Sequence, residues 1–316
     1  MTKDSIFILE ADRPTGVATV CALFNSGPTQ SNRRINVKAG VNPNSSPEVR
    51  EKLSQYGAEV IVIDDPHNVK FNDVHKLMII LSPERLDAGF IYVDAASRDR
   101  VPFVLLQSIV LADERDDYVG KKYAQLEAKV KKMITKECNN ISENCENEDL
   151  KDAHIHRYWA ILRAGIYDHY LLAFKDCIKK GVLDLPIGNG EFAPIAVEDV
   201  GKVAKHILDK SENYYSHTFT VTGHELFSGK LLAERLSETL HHKLTYKPCE
   251  DDEHIREHIK KYINNPVEVE AVYQLFDFIK EDKLKFVSPN FTEIEKWKPK
   301  TVMQFFLENK NEILNY

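Results

Sequence analysis

The first half of the chain alternates short apolar runs with segments that carry helix signals. The runs are SIFILEA, INVKAGV, AEVIVID, KLMIIL and VPFVLLQSIV. Each is nearly continuous in apolar residues, which is typical of strands buried on both faces of a parallel sheet. The segments between them predict helices, two of which close on Gly27 and Gly57. The alternation predicts an α/β fold: a doubly wound parallel Rossmann sheet with a ligand crevice at the carboxyl ends of its strands.

The second half of the chain is organised differently. After the fifth run, the helical segment KKYAQLEAKVKKMI leads into a polar stretch rich in Asn and Glu. This stretch, about 135–155, lacks periodicity and is predicted to be a mobile surface insertion of the loop or linker kind. The strand RYWAILRAGIY follows, and then short strands and helices alternate. We therefore predict a Rossmann-type core over 1–175 and a smaller C-terminal α/β lobe over 176–316, from which segments return to the core.

Charge and cysteine content restrict the partners and the compartment. The 316 residues carry a net charge of −7, which argues against direct nucleic-acid binding. We expect no membrane span, since no apolar run approaches the roughly 18 residues that one needs. The cysteines are odd in number and widely spaced, and no signal peptide is recognisable, so we expect free thiols in a reducing, cytoplasmic or nuclear setting. The sequence does not determine the oligomeric state.

One group of metal-binding residue types falls within or beside the polar insertion. Cys138, Cys145, His154 and His156 have no close Cys-x-x-Cys spacing. Zinc sites of small domains usually show such a spacing. We therefore expect no metal in this segment.

The order of several segments resembles the NmrA-like branch of the atypical short-chain dehydrogenase/reductase superfamily. The first strand, turn and helix, FILEADRPTGVATV, are followed by VKAGVNP, GAEVIVIDD, WAILRAGIYDHYL, IGNGEFAPIAVEDVGKVAKHIL and FTVTGHELFSGKLLAERLSETL. The resemblance covers nearly the whole chain apart from the polar insertion. It implies an NAD(P)-binding Rossmann fold, with either a reductase activity or a regulatory role without catalysis.

The nucleotide-binding turn departs from the pattern that the resemblance implies. The three glycines of the superfamily's turn correspond to Glu10, Arg13 and Gly16. Gly16 is the position that packs the helix on the strand, whereas the other two admit the pyrophosphate. The carboxylate of Glu10 opposes the pyrophosphate charge, while Arg13 could bind a phosphate or pair with Glu10. Asp12 is a candidate N-cap. We predict that NAD(P) binding is absent or weak.

The remaining crevice positions follow from the resemblance. Asn42 lacks both the positive charge for a 2′-phosphate and the carboxylate for a free ribose. Asp64 lies where relatives contact the adenine, although Asp-Asp-Pro is also an ordinary turn. Ser82 ends the fourth strand, beside the nicotinamide position. The full set of candidate cofactor-binding residues is Glu10, Arg13, Thr15, Gly16, Asn42, Asp64, Ser82 and Gln107.

The catalytic helix of the superfamily is altered as well. By resemblance, Tyr123 lies at the catalytic tyrosine position and Glu127 at that of the lysine. A glutamate raises the pKa of a neighbouring tyrosine, whereas the lysine lowers it. Lys129 cannot replace the lysine, because two residues turn about 200° around a helix. Tyr123 is then a half-buried structural aromatic, and Ser108 at the end of the fifth strand is a further candidate without a firm role.

Two functions follow from these observations. The first is a regulatory or ligand-sensing protein of the NmrA-like kind, catalytically inactive, which acts through a protein partner and includes transcriptional regulation and redox sensing among its roles. The second is an NAD(P)H-dependent oxidoreductase that acts on a carbonyl, quinone or aromatic substrate. The aromatic residues around the sixth strand, Tyr158, Trp159, Tyr167, His169 and Tyr170, either wall a small-molecule pocket or pack the core.

Overall fold

The computed structural model describes residues 4–25, 35–142 and 157–314. It divides into two compact units. The first comprises Met1–Arg163 and Val200–Phe219, and the second comprises Ala164–Asp199 and Thr220–Tyr316. The chain therefore leaves the first unit at the end of the sixth strand, and the predicted boundary at 175 lies inside the second unit. No helix in the described ranges has the length and apolarity needed to cross a membrane.

The first unit is built on a seven-stranded sheet. Its strands in chain order are β1 (Asp4–Ile8), β2 (Ile35–Val41), β3 (Glu59–Val62), β4 (Lys76–Ile79), β5 (Phe103–Ile109), β6 (Tyr158–Ala164) and β9 (His217–Val221). They lie in the order β3-β2-β1-β4-β5-β6-β9. The pairs β1–β2, β1–β4, β2–β3 and β4–β5 are parallel. The strand order reverses between β1 and β4, which confirms the doubly wound Rossmann fold and places its switch point at these two strands.

Helices cover this sheet. They are α1 (Pro14–Phe24), α2 (Pro47–Tyr56), α3 (Leu86–Arg98), α4 (Tyr118–Ser142) and α6 (Val197–Asp209). The predicted signals of α2 are confirmed: the Ser46 hydroxyl accepts a hydrogen bond from the Val49 amide, and Gly57 ends the helix with a φ of 106°. The Gly27 prediction for α1 lies outside the described residues.

Two local predictions are wrong. The helix α4 extends to Ser142, so the first part of the predicted insertion, 135–142, is helical rather than loop. The predicted burial of every strand on both faces fails at β3, where Val62 is 42% exposed. This strand forms the edge of the sheet, so one side of it lacks a neighbour. The rest of the insertion, 143–156, lies outside the described residues.

The second unit is mainly helical. Its helices are α5 (Lys175–Lys179), α7 (Gly229–Leu240), α8 (Asp252–Tyr262), α9 (Pro266–Lys280), α10 (Asn290–Glu295), α11 (Val302–Glu308) and α12 (Lys310–Leu314). Its strands are β7 (Val182–Leu183), β8 (Glu191–Phe192), β10 (Phe227–Ser228) and β11 (Thr245–Tyr246). The pair β8–β10 is antiparallel and β7–β11 is parallel. Fully buried aromatics such as Phe276 and Phe306 fill its core.

Candidate functional site

The turn between β1 and α1 contains a residue in the left-handed backbone region. Glu10 has a φ of 48°, the left-handed region in which glycine is typical. For a non-glycine residue this conformation costs roughly 1 kcal/mol. The chain then turns back, with the Arg13 amide donating to the Glu10 carbonyl at 3.0 Å. The turn therefore has a glycine-like shape with a charged side chain at its first glycine position.

The side chain of Glu10 is buried and bonded to residues that follow β4. Its Oε2 accepts a hydrogen bond of 2.8 Å from the Ser82 amide, and its Oε1 lies 3.1 Å from Nε of Arg85. Burial raises the pKa of Glu10 to about 7, although the charges of Arg85 and Arg13 oppose the shift. The carboxyl group therefore bridges the ends of β1 and β4, the two strands at the switch point. The sequence singled out Arg13 as the partner and missed Arg85.

Gly16 has the packing role that the sequence indicated. A Cβ at this position would lie 2.5 Å from Cα of Ala11 and 2.8 Å from its carbonyl oxygen. Because both atoms belong to the backbone, no rotamer change could relieve the contact. The helix α1 begins directly before it, at Pro14, with Arg13 rather than Asp12 as the N-cap. The interpretation of Asp12 as the cap is therefore wrong.

The end of β2 carries a cation that the sequence did not indicate. The Asn42 amide donates to a carboxylate oxygen of Asp12 at 3.3 Å, which explains why Asp12 does not cap α1. The guanidinium of Arg50, from α2, donates to the carbonyls of Asn42 and Pro43. A positive charge thus lies beside Asn42 although Asn42 itself has none. In the sequence, this cation was recognisable only as the arginine of PEVR, the first turn of α2.

The end of β3 favours the turn interpretation. The Asp65 carboxylate accepts a hydrogen bond of 2.9 Å from the His67 amide and so caps the short 3-10 helix Pro66–Asn68. Asp64, the predicted adenine contact, is exposed beside it. Thr15 is buried and Gln107 is half-buried near the end of β5. The contacts of Asp64, Thr15 and Gln107 with a cofactor stay predictions.

The candidate catalytic tyrosine is buried rather than half-buried. Tyr123 lies on α4 with 4% of its surface exposed, and its hydroxyl donates to the carbonyl of Leu81 at 2.9 Å. That carbonyl belongs to the end of β4. The hydroxyl proton of Tyr123 is therefore engaged with the protein backbone, in keeping with a structural role.

Glu127, at the lysine position of the superfamily, is held in a buried ion pair. Nε of Arg163 donates to Oε1 at 2.9 Å and Nη2 donates to Oε2 at 2.7 Å, a two-point contact. The Ser108 hydroxyl adds a third bond to Oε1 at 2.7 Å. Burial alone would lower the pKa of Arg163, but its hydrogen bonds to Glu127 and Asp113 raise it above its ordinary value. Hydrogen bonds to charged groups thus join Ser108, Glu127, Arg163 and Asp113 in one network.

Lys129 does not take over the role of the missing lysine. Its ammonium lies 2.7 Å from a carboxylate oxygen of Asp94 on α3, as the helical rotation predicted. Lys131 lies 3.8 Å from Glu127 and is more exposed than Arg163. Arg163, the strongest partner of Glu127, is the second residue that sequence reasoning missed. It lies on β6 in a run quoted only for its apolar character.

The aromatic residues around β6 separate into different settings. In the first unit Tyr158 stacks on Tyr215 with ring centroids 3.6 Å apart. In the second unit Tyr167, His169 and Tyr170 form a cluster with centroid distances of 4.6 to 5.8 Å. The first group packs the sheet, which favours the packing alternative for Tyr158.

Cys21, Cys177 and Cys249 are free thiols, as expected. The side chains of Cys138, Cys145, His154 and His156 lie outside the described part.

A strand order that reverses between β1 and β4, with a left-handed turn and a packing glycine after β1, defines a dinucleotide-binding type of Rossmann fold. Comparison with known proteins agrees. The chain is similar to the triphenylmethane reductase of Citrobacter sp. complexed with NADP(H), with 16% identity, coverage of 96% of this chain and 99% of that one, and a TM-score of 0.76. It is also similar to an NADPH-dependent quinone oxidoreductase of Escherichia coli complexed with NADPH, with 18% identity, coverage of 98% and 100%, and a TM-score of 0.72.

A third similar structure is a mutant of NmrA, with 16% identity, coverage of 99% of this chain and 91% of that one, and a TM-score of 0.63. No family model matches the sequence, and no curated protein matches it. The chain thus has the fold of the NAD(P)-binding atypical short-chain dehydrogenase/reductase proteins, NmrA among them. This confirms the fold that the sequence resemblance implied. Identities this low show the fold and leave the activity open.

Proposed function

We propose that this chain is a regulatory or ligand-sensing protein of the NmrA-like kind, which does not transfer hydride and acts through a protein partner. The observation that carries the proposal is the buried pair of Glu127 and Arg163. A reductase of this fold needs a cation beside its tyrosine to favour proton transfer. Here a carboxylate occupies that position, and its charge is already matched by Arg163. The hydroxyl of Tyr123 is bonded to the backbone.

The turn between β1 and α1 supports a further part of the proposal, that NAD(P) binding is absent or weak. The pyrophosphate of NAD(P) would approach the place where the Glu10 carboxyl group lies, and the Ser82 amide already donates to that carboxyl group. The residues present therefore do not fit a pyrophosphate. A dinucleotide must displace Glu10 from both Ser82 and Arg85 before it can bind. This loss of existing contacts predicts affinity well below that of an ordinary NADPH-dependent enzyme.

Calorimetric titration with NADPH and with NADH tests directly whether NAD(P) binding is absent or weak. We expect no binding or weak binding to the wild-type chain. The double variant Glu10→Gly with Arg13→Gly should bind more tightly, since it restores the glycines and frees Arg85. Glu59→Gly with Lys52→Gly, at two exposed positions, is a control that likewise removes one negative and one positive charge. If the double variant binds no better than the control, the assignment of the turn is wrong.

Hydride transfer is measured separately, as loss of NADPH absorbance with a quinone, an aldehyde and a triphenylmethane dye as acceptors. Micromolar cofactor affinity together with turnover of any acceptor would refute the proposal. The partner is tested by affinity purification of the full chain from its source cells with and without NADPH. A set of co-purifying proteins that changes with the nucleotide supports ligand sensing, whereas a chain that purifies alone contradicts the regulatory role.

The second candidate is an NAD(P)H-dependent oxidoreductase. Two observations favour it: two of the similar structures are a reductase complexed with NADP(H) and a quinone oxidoreductase complexed with NADPH, and Arg50 places a cation beside Asn42. A cation there would suit the 2′-phosphate of NADPH. If this candidate is correct, Arg50→Met weakens NADPH binding and leaves NADH binding unchanged. Absence of binding at millimolar concentrations of either nucleotide excludes it.

A further inference from the structure

A group of metal-ligating side chains lies in the second unit. It joins a residue after β7 to residues about 65 to 70 positions later, at the end of β11 and on α8. The parallel pair β7–β11 continues past its last residues, with the Lys247 amide bonded to the Leu183 carbonyl and the Cys249 amide to the Leu185 carbonyl. This pairing places Cys249 beside Asp184. Two residues later Asp251 caps α8 and accepts a hydrogen bond from the His254 amide.

The donor atoms of this group converge. One ligand atom from each of Asp184, Cys249 and His254 lies within 4.8 Å of the others. Nε2 of His254 is 3.5 Å from Oδ2 of Asp184. His258, one helical turn along α8, presents its own Nε2 at 3.0 Å from that of His254. A fifth donor, Sγ of Cys177, lies 3.6 Å from Nε2 of His258.

These distances fit tetrahedral coordination. Zinc binds imidazole nitrogen at about 2.0 Å and thiolate sulfur at about 2.3 Å, which separates neighbouring donor atoms by about 3.3 to 3.6 Å. Nε2 of His254 is separated from Nε2 of His258 by 3.0 Å and from Oδ2 of Asp184 by 3.5 Å, and both distances lie in or close to this range. The spacing of His254 and His258 by four residues sets both rings on one face of α8, the usual arrangement for two histidine ligands on a helix.

The burial and the chemical mixture of the donors also favour a metal over a set of ordinary hydrogen bonds. His258 is buried, Asp184 and Cys249 are half-buried, and only His254 is exposed. Two imidazole nitrogens that face each other can share one proton, while the thiol of Cys249 has only a long contact of 3.9 Å with the Asp251 carbonyl. A divalent cation would bind the thiolate, the imidazoles and the carboxylate together. A thiolate, two imidazoles and a carboxylate suit Zn²⁺ rather than Mg²⁺ or Ca²⁺.

We propose that Asp184, Cys249 and His254, whose donor atoms lie within 4.8 Å of one another, bind one zinc-class ion and that His258, which adjoins His254, moves in as the fourth ligand. Four protein ligands leave no open position, so the site is structural and joins the β7 end, the β11 end and α8. Cys177 is the neighbouring thiol beyond these ligands. The site does not depend on the function proposed for the first unit, and the two can fail independently.

The test is zinc content and zinc affinity of the full-length chain. Purified protein is stripped with a chelator, reloaded with one equivalent of Zn²⁺ and measured by elemental analysis and competition with a zinc indicator. The proposal expects one tightly held zinc per chain, which Cys249→Ser and His254→Ala each weaken at least tenfold. With Co²⁺ in place of Zn²⁺, the wild-type chain should show a thiolate-to-cobalt charge-transfer band that Cys249→Ser abolishes.

Matched controls separate this site from other thiols and histidines. Cys21→Ser and His67→Ala, both in the first unit, should leave zinc affinity and the cobalt spectrum unchanged. Zinc bound by the segment that contains Cys138, Cys145, His154 and His156 would survive Cys249→Ser, and that result would overturn the proposal. So would the absence of stoichiometric zinc in the wild-type chain. Circular dichroism of each variant identifies one that fails to fold, in which case His258→Gln replaces it.

Discussion

Arg163 holds the carboxylate of Glu127 by two parallel hydrogen bonds, Nε to Oε1 at 2.9 Å and Nη2 to Oε2 at 2.7 Å. The pair joins β6 to α4 across 36 residues of sequence. By the sequence resemblance, Glu127 lies at the position of the superfamily's lysine. The contact with Arg163 joins β6 to α4, and its contribution to stability can be measured.

The first prediction concerns the stability of this pair. Arg163→Met leaves the buried Glu127 carboxylate without its cation, which should lower the free energy of unfolding by about 3 to 5 kcal/mol. Chemical denaturation at neutral pH measures the change. Adding Glu127→Leu to Arg163→Met should recover most of the loss, because the uncompensated charge is then gone. Lys131→Met, which removes the more distant and exposed cation, should cost less than about 1 kcal/mol.

The second prediction concerns the pH dependence that Glu10 confers. Burial raises its pKa from 4.5 to about 7 in the folded chain, so the folded state holds this proton more tightly than the unfolded one. Stability then falls as pH rises from 4.5 to 7, by up to about 3 kcal/mol from this group. Glu10→Gln should lose that slope relative to wild type, whereas Glu59→Gln, on exposed β3, should retain it. If the free energy of unfolding depends on pH in the same way for wild type and for Glu10→Gln, the prediction is contradicted.

The same protonation affects dinucleotide binding. Below pH 7 the neutral Glu10 carboxyl group no longer repels a pyrophosphate, so residual NADH binding should strengthen as pH falls from 8 to 6. NADH is the right probe because its pyrophosphate charge is constant over this range. The Glu10→Gln variant should bind equally at both values.

The third prediction separates a structural from a catalytic tyrosine. Tyr123→Phe removes the donor to the Leu81 carbonyl and leaves that buried oxygen unpaired, which should cost about 1 to 3 kcal/mol of stability. Denaturant titration measures this loss, and Tyr118→Phe, an exposed tyrosine on the same helix, is the control. Any acceptor reduction by the wild-type chain should persist in Tyr123→Phe. If it disappears while the variant remains folded, Tyr123 is catalytic and the proposed function is wrong.

The fourth prediction concerns Asp168 in the second unit, which follows β6 in the 3-10 helix Asp168–Phe174. Burial, with the charges of Glu198 and Asp199, raises its pKa to about 8 against the opposing charge of Lys300. The group is then protonated at neutral pH, and stability falls as pH rises from 3.8 to about 8 and is independent of this group above that. Asp168→Asn should be more stable than wild type at pH 9 by at least about 1 kcal/mol.

Thermal unfolding at pH 6 and pH 9 measures this difference. Between pH 7 and 9 the slope belongs mainly to Asp168, since Glu10 has already titrated. Asp64→Asn, at an exposed carboxylate in the first unit, is the control. Equal destabilisation of wild type and Asp168→Asn at high pH would show that the group is ionised in the folded chain.

Local patterns in the sequence determined much of the fold. Continuous apolar runs report burial on both faces, and this information sufficed for the parallel sheet. The serine cap and terminal glycine of α2 determined that helix at both ends. Gly16 could be assigned to packing because one residue type alone lets helix and strand approach so closely. The pattern failed at β3, because a run of apolar residues does not tell a central strand from an edge strand.

The partners of the buried charges were decided by tertiary structure. Glu10 and Ser82 are 72 residues apart, and Glu127 and Arg163 are 36 apart, so no local periodicity relates them. Which strand ends adjoin depends on the order of strands in the sheet, and the energy of a buried carboxylate depends on what adjoins it. The sequence by itself showed that Glu10, Arg13 and Glu127 lie where the resemblance implies two glycines and a lysine. Only the tertiary structure decided that Arg85 and Arg163 compensate the carboxylates that replaced them.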